Sequence, residues 1–213
     1  MQVLEISTEH NATIASDLPL MESFYTLQGE GFHAGKAAYF IRLGGCEVGC
    51  VWCDVKESWP VDAHPKASVA NIVENALKHP CRLAVVTGGE PLMHDLTELT
   101  QQLQAADFQT NIETSGVYDI TGVWDWICFS PKKFKTPHPS IYARADELKV
   151  IIYNKSDFDF AEQHAQLTNP NCALLLQPEW SRTQEMTPLI VEYIKNNPQW
   201  RISLQTHKYM AIP

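Results

Sequence analysis

Three thiols within eight residues dominate the chemistry open to this chain: Cys46-Glu47-Val48-Gly49-Cys50-Val51-Trp52-Cys53. Thiolates spaced by three and then two residues can converge on one soft metal centre. A structural zinc site closes with four ligands, and no fourth is evident: His33 and His64 are the nearest histidines, and Cys81 is the next cysteine. A disulfide would leave one thiol of the three unpaired. An iron–sulfur cluster held by three cysteines, with its fourth iron open to a non-protein ligand, suits the odd number best. Downstream, Thr87-Gly88-Gly89-Glu90-Pro91 closes an expected strand. Adjacent glycines let a backbone approach a ligand closely, and Glu90 can accept from an ammonium. A plain turn would also explain the two glycines.

The cysteine spacing, with an aromatic residue before the third cysteine, resembles the signature of the radical S-adenosylmethionine (SAM) superfamily. The Gly-Gly-Glu-Pro segment is similar to that superfamily's motif for the SAM amino group. The resemblance implies one 4Fe-4S cluster on Cys46, Cys50 and Cys53, with the methionine end of SAM on the open iron. It also implies a one-electron donor, a flavodoxin or a ferredoxin, and a fold of the partial-barrel kind.

Further stretches narrow the likeness. Phe24-Tyr25-Thr26-Leu27-Gln28-Gly29-Glu30-Gly31, Phe40-Ile41-Arg42, Cys53-Asp54 and the ending His207-Lys208-Tyr209-Met210-Ala211-Ile212-Pro213 resemble the 7-carboxy-7-deazaguanine synthase family. That family converts 6-carboxy-5,6,7,8-tetrahydropterin to 7-carboxy-7-deazaguanine by radical ring contraction with loss of ammonia, on the route to 7-deazapurines such as queuosine. The resemblance places Leu27, Gln28, Gly29, Arg42, Thr87 and the carboxylate of Pro213 against substrate, and His207 within reach of it. It places Trp52, Cys53, Asp54, Gly89, Glu90, Glu113, Ser115, Ser130, Pro131, Lys132 and Gln177 around SAM. It implies a homodimer. Family members often carry Thr or Ser two residues after the third cysteine, where the hydroxyl helps ligate Mg2+. Here that position is Val55, whose methyl groups cannot coordinate a hard cation, so magnesium is left to substrate and water or is absent.

The residues suit a carboxylated pterin on physical grounds. Arg42 offers a cationic fork for a carboxylate. Gln28 offers both donors and acceptors, and Glu30 can accept from an aminopyrimidine edge.

These groups need a frame. Ala38 to Leu43, Leu83 to Val86, Phe108 to Glu113, Trp126 to Ser130, Glu147 to Tyr153, Ala173 to Gln177 and Trp200 to Gln205 read as strands. Val69 to Lys78 (capped by Ser68), Leu92 to Ala105, Asp157 to Leu167 and Met186 to Asn196 read as helices. The alternation predicts an α/β fold, a mainly parallel sheet built from βαβ units. A full eight-fold barrel takes about 250 residues. This chain has 213, so the expectation is a partial or open (β/α) barrel. No linker composition divides it, and residues 1–213 are expected to form one domain with the cysteine loop at about 44–59. Glu113, Ser130, Lys132 and Gln177 all fall at expected strand C-termini, where parallel-sheet sites form.

Composition excludes several classes. Lys and Arg number 16 against 25 Asp and Glu, a formal charge of −9, and no basic stripe exists for a nucleic-acid backbone. Pro131 to Lys135 is the densest basic segment. No apolar run approaches the roughly 20 residues of a spanning helix. Met1 to Asn11 has neither a basic nor an apolar region of a secretory signal. An oxygen-sensitive cluster demands a reducing cytoplasm, and Cys81, Cys128 and Cys172 then read as buried core residues. Two other functions compete with a pterin lyase. A glycyl-radical activating enzyme would share the cysteine spacing but would need an open peptide groove. A zinc-binding interaction module would need no SAM.

Overall fold

A computed structural model describes residues 17–213; the reading of Met1 to Asn11 lies outside them. Their frame is one nine-stranded sheet. Its strands are β1 (Asp17–Leu27), β2 (Ala37–Leu43), β3 (Lys66–Ser68), β4 (Leu83–Gly88), β5 (Gln109–Thr114), β6 (Trp126–Phe129), β7 (Glu147–Ile152), β8 (Ala173–Pro178) and β9 (Trp200–Ile202). The spatial order is β3-β1-β2-β4-β5-β6-β7-β8-β9. From β2 to β9 every pairing is parallel, and β1 pairs antiparallel with both β2 and β3. Because β3 and β9 form separate edges, the sheet is open, as a trimmed barrel requires.

Helices α1 (Val69–Leu77), α2 (Thr97–Ala105), α4 (Ser156–Ala165) and α5 (Thr183–Asn196) run in the crossovers. Two short ones, α3 (Ser140–Arg144) and α6 (Thr206–Met210), were not expected. Period-two alternation splits each strand between two environments. Ile41, Leu43, Val86, Ile112, Phe129, Leu148, Val150 and Leu176 are buried in one apolar core with Ile72, Leu99, Leu103, Ala161 and Ile190 of the helices. The other face turns Arg42, Thr87, Glu113, Lys149 and Gln177 into a cleft.

Ser68 caps α1 as expected, accepting from Asn71 N at 3.3 Å. The expected helix from Leu92 to Ala105 is divided. A 3-10 turn covers Pro91–Met93, His94 is extended, and α2 begins only at Thr97. The break has three local causes: Asp95 accepts from Thr97 N at 2.9 Å, Thr121 Oγ1 accepts from Leu96 N at 3.2 Å, and His94 reaches Gly44 O. Leu92, Leu96, Leu99 and Leu103 are still all buried. The last strand stops at Ile202 instead of Gln205: Ser203 is buried with its hydroxyl on Gln177, and Gln205 turns to Glu30 in the cleft wall. Among the described residues no helix is long and apolar enough to cross a membrane.

Candidate active site

A cleft of about 300 Å³ opens on the polar face of the sheet, a size suited to a small molecule and part of a cofactor. Cys46, Cys50 and Cys53 all line it. The loop that carries them runs from Gly44 to Trp59, with one 3-10 turn at Lys56–Ser58. Gly45 and Gly49 take positive φ, +106° and +76°, which lets the loop coil around the thiols. All six cysteines are free. Burial pushes the Cys50 thiol up to about 11 against the nearby charge of Lys132, and pushes Cys46 up as well. A metal would displace those protons on binding. Cys81, Cys128 and Cys172 are buried in the core or beneath the cleft, as expected.

The zinc alternative loses its candidate ligands here. His64 Nε2 pairs with Glu57 O at 2.9 Å, and His33 is buried against Trp126. Among the described residues, no three His, Cys, Asp or Glu side chains are gathered for a single ion. Three thiolates around a four-iron cluster sit farther apart than thiolates on one ion.

The glycine pair presses against the cysteine loop. A Cβ on Gly89 would stand 2.2 Å from Gly45 O and 2.8 Å from Cys46 Cβ, and one on Gly88 would strike Leu43 O. Backbone alone fits there, and both glycines line the cleft.

Glu90, expected beside the SAM amino group, lies just behind the cleft wall. It is 1% exposed and is not among the cleft-lining residues. Its carboxylate accepts from Leu92 N (3.1 Å), Thr114 Oγ1 (2.5 Å), Ser115 N (2.8 Å) and Ser115 Oγ. Glu90 therefore brackets the loops after β4 and β5 together. Pro131 is also buried away from the cleft; it follows Ser130 and precedes Lys132, which do line it.

The remaining expected positions converge. Trp52, Asp54, Val55, Glu113, Ser115, Ser130, Lys132 and Gln177 line the cleft, as do Leu27, Gln28, Gly29, Glu30, Arg42, Thr87, His207 and Pro213. Lys132 Nζ donates to Ser130 O (2.8 Å) and Ser130 Oγ (2.5 Å) and lies 5.8 Å from the Trp52 ring centre. Burial lowers its pKa. Arg42 donates its Nε–H to Glu22 at 2.7 Å while its side chain still lines the cleft.

The C-terminal segment is built into the wall. Thr206 N and Thr206 Oγ1 both donate to Gly29 O, at 2.8 and 2.9 Å. A Cβ on Gly29 would stand 2.3 Å from His207 Nδ1, so only glycine admits the ring. Thr26 Oγ1 donates to Pro213 O at 3.4 Å. Lys208 spans the mouth to Asp54 at 2.8 Å and lies 5.2 Å from the Trp180 ring centre.

Sequence reasoning passed over Phe24 and Phe40, stacked rings with centroids 5.3 Å apart, as well as Ile151, Gln205, Trp180 and above all Lys149. Lys149 Nζ lies 2.7 Å from both Glu30 Oε2 and Glu113 Oε2. Its inward place in the alternation of β7 was the one available signal.

An open parallel sheet with three free thiols and a glycine turn facing one cleft defines a radical SAM enzyme, and a model of the Radical SAM superfamily matches residues 40–154. The chain is 62% identical over 196 residues to 7-carboxy-7-deazaguanine synthase of Flavobacterium psychrophilum, covering 92% of this chain and 93% of that one. It is 50% identical to the enzyme of that name from Synechocystis, over 91% of this chain and 93% of the relative. The crystal structure of QueE from Escherichia coli matches with a TM-score of 0.82 at 33% identity, covering 90% of this chain and 95% of that one. This chain belongs to the 7-carboxy-7-deazaguanine synthase family of the radical SAM superfamily. The family implies a 4Fe-4S cluster, SAM and a source of electrons, and the three thiols and glycine cradle fit the first two.

Proposed function

We propose that this protein is a carbon–nitrogen lyase that converts 6-carboxy-5,6,7,8-tetrahydropterin to 7-carboxy-7-deazaguanine with loss of ammonia. The carrying observation is that one cleft gathers the three cysteines with Arg42, Gln28, Glu30 and the C-terminal segment. When bound, the cluster and SAM supply a 5′-deoxyadenosyl radical that abstracts hydrogen from substrate.

The protein's own residues bind, orient and shield. Cys46, Cys50 and Cys53 hold the cluster. The Gly88-Gly89 backbone, Ser115, Ser130, Lys132 and Gln177 hold SAM, with Trp52, Cys53 and Asp54 beside its adenosyl part. Arg42 takes the substrate carboxylate. Glu30 accepts from the aminopyrimidine edge, and Leu27, Gln28, Gly29, Thr87, His207 and the Pro213 carboxylate complete the pocket. The Val55 side chain offers no oxygen, so any magnesium rests on substrate and water. A flavodoxin or ferredoxin as donor, a homodimer and a cytoplasmic location complete the reading. The net charge of −9 argues against a nucleic-acid partner.

Anaerobically reconstituted protein with SAM, reductant and the pterin should yield 7-carboxy-7-deazaguanine by mass spectrometry. Efficient SAM cleavage with no such product would refute the lyase reading and favour an activating enzyme. A colourless protein with stoichiometric zinc and no iron or sulfide would refute both.

A further inference from the structure

Lys149 is the most deeply buried cation of the cleft, its side chain 3% exposed. It sits between two carboxylates that other residues also fix. Gln205 Nε2 donates to Glu30 Oε1 at 2.8 Å, and Gln28 Nε2 donates to Glu113 Oε1 at 3.1 Å. Gln28 Oε1 in turn accepts the Glu30 N–H at 3.1 Å.

A buried ion pair is weak grounds for stability, since apolar packing often does as well. Nor does neutralising one lysine need two carboxylates. Each ionised carboxylate has about four acceptor sites, and these bonds fill only some of them. Gln177 also bonds Glu30 and Cys128 also bonds Glu113, and both glutamates line the cleft.

We propose that Lys149 is a positioning residue that holds Glu30 and Glu113 as a pair of hydrogen-bond acceptors, so that the cleft selects a heterocycle with an N–H donor edge and rejects its carbonyl counterpart. This rests on the pterin reading and deepens it, assigning the 2-amino group as the feature selected. A protonated Glu30 would donate to a 2-oxo group and erase the distinction.

The surroundings set the balance. Burial favours the neutral carboxyl at Glu30. The charge and hydrogen bond of Lys149, with Gln177 and Gln205, outweigh it and hold Glu30 at about 2. Burial would also discharge Lys149, but Cys128, Glu113, Glu30 and Glu147 keep it well above the ordinary lysine value. The other titratable groups facing this frame are Cys128 of β6, Lys132 just after it, and buried His33 of the β1–β2 connection, which couples to Glu113 and whose own pKa burial lowers. With Lys149 removed, burial acts on Glu30 unopposed by its strongest partner, so its proton is retained to higher pH.

The test compares 6-carboxy-tetrahydropterin with its 2-oxo counterpart as competing ligands of the reconstituted holoenzyme with SAM, from about pH 6 to about pH 8. Wild type should prefer the 2-amino compound by the same factor throughout. Lys149→Met should lose about tenfold or more of that preference at the acid end and regain part of it as pH rises. Lys149→Arg should keep it. A Lys149→Met enzyme with unaltered preference overturns the proposal, and so does a loss that is independent of pH and not rescued by arginine. Should Lys149→Met not fold, wild type decides alone. A constant preference supports the proposal; one that collapses toward acid pH shows the carboxylates titrating freely and overturns it. Wild type that cleaves SAM but neither binds nor turns over the pterin refutes the lyase reading, and this proposal with it.

Discussion

Strand β7 puts two kinds of chemistry one residue apart. Leu148, Val150 and Ile152 are fully buried against the helical layer, while Lys149 and Ile151 face the cleft between them. The same contrast recurs where Val86 of β4, Ile112 of β5 and Leu176 of β8 are buried in the core beside Thr87, Glu113 and Gln177 of the cleft. Stability therefore rests mainly on one face of the sheet and selectivity on the other. Substitutions a single position apart should fail in different ways.

The sharpest break is at the cleft's edge. Cys50→Ala should abolish the cluster's visible absorbance and all turnover while leaving the far-ultraviolet circular dichroism intact. Product formation by that variant would contradict the cluster assignment. On the core face, Leu148→Ala removes a fully buried side chain and should cost about 3 kcal/mol of stability, read as a lower denaturant midpoint. A loss within error would mean the helical layer is not the main support.

Glu90 tests the boundary between the two faces. Glu90→Ala strands buried donors on Thr114, Ser115 and Leu92 and should cost about 2 kcal/mol, seen in thermal unfolding. Weaker SAM binding with unchanged unfolding would instead put Glu90 in the ligand site. The smallest effect belongs to the rim. Lys208→Ala removes a pair whose Asp54 partner is 62% exposed and should change stability by under about 1 kcal/mol. A larger loss would make the mouth a structural joint.

The two faces also differed in how well they could be read from sequence. Core strands announce themselves by apolar runs, and the parallel order followed from alternation with helices. Strand β1 did not, because Pro19 and a register shift between Leu20 and Glu22 interrupt its pattern. The cysteine loop was legible because its spacing is local. Lys149 was not, since in Glu147-Leu148-Lys149-Val150-Ile151 a lone lysine gains meaning only when β5 and the β1–β2 connection bring Glu113 and Glu30 to it. Glu90 was legible by its motif, but which way its side chain turns depends on Thr114 and Ser115, more than twenty residues away.

The central claim is that cluster, SAM and pterin meet in one cleft. Ring-deuterated 6-carboxy-tetrahydropterin, turned over once with unlabelled SAM in deuterium-free buffer, tests it most directly. Conversion of the pterin to product and ammonia is redox-neutral, so the abstracted hydrogen must be replaced. Deuterium should appear at the 5′ carbon, in 5′-deoxyadenosine or in SAM re-formed after hydrogen return, whenever 7-carboxy-7-deazaguanine is made. Unlabelled 5′-deoxyadenosine, with the pterin recovered unchanged, would contradict the account.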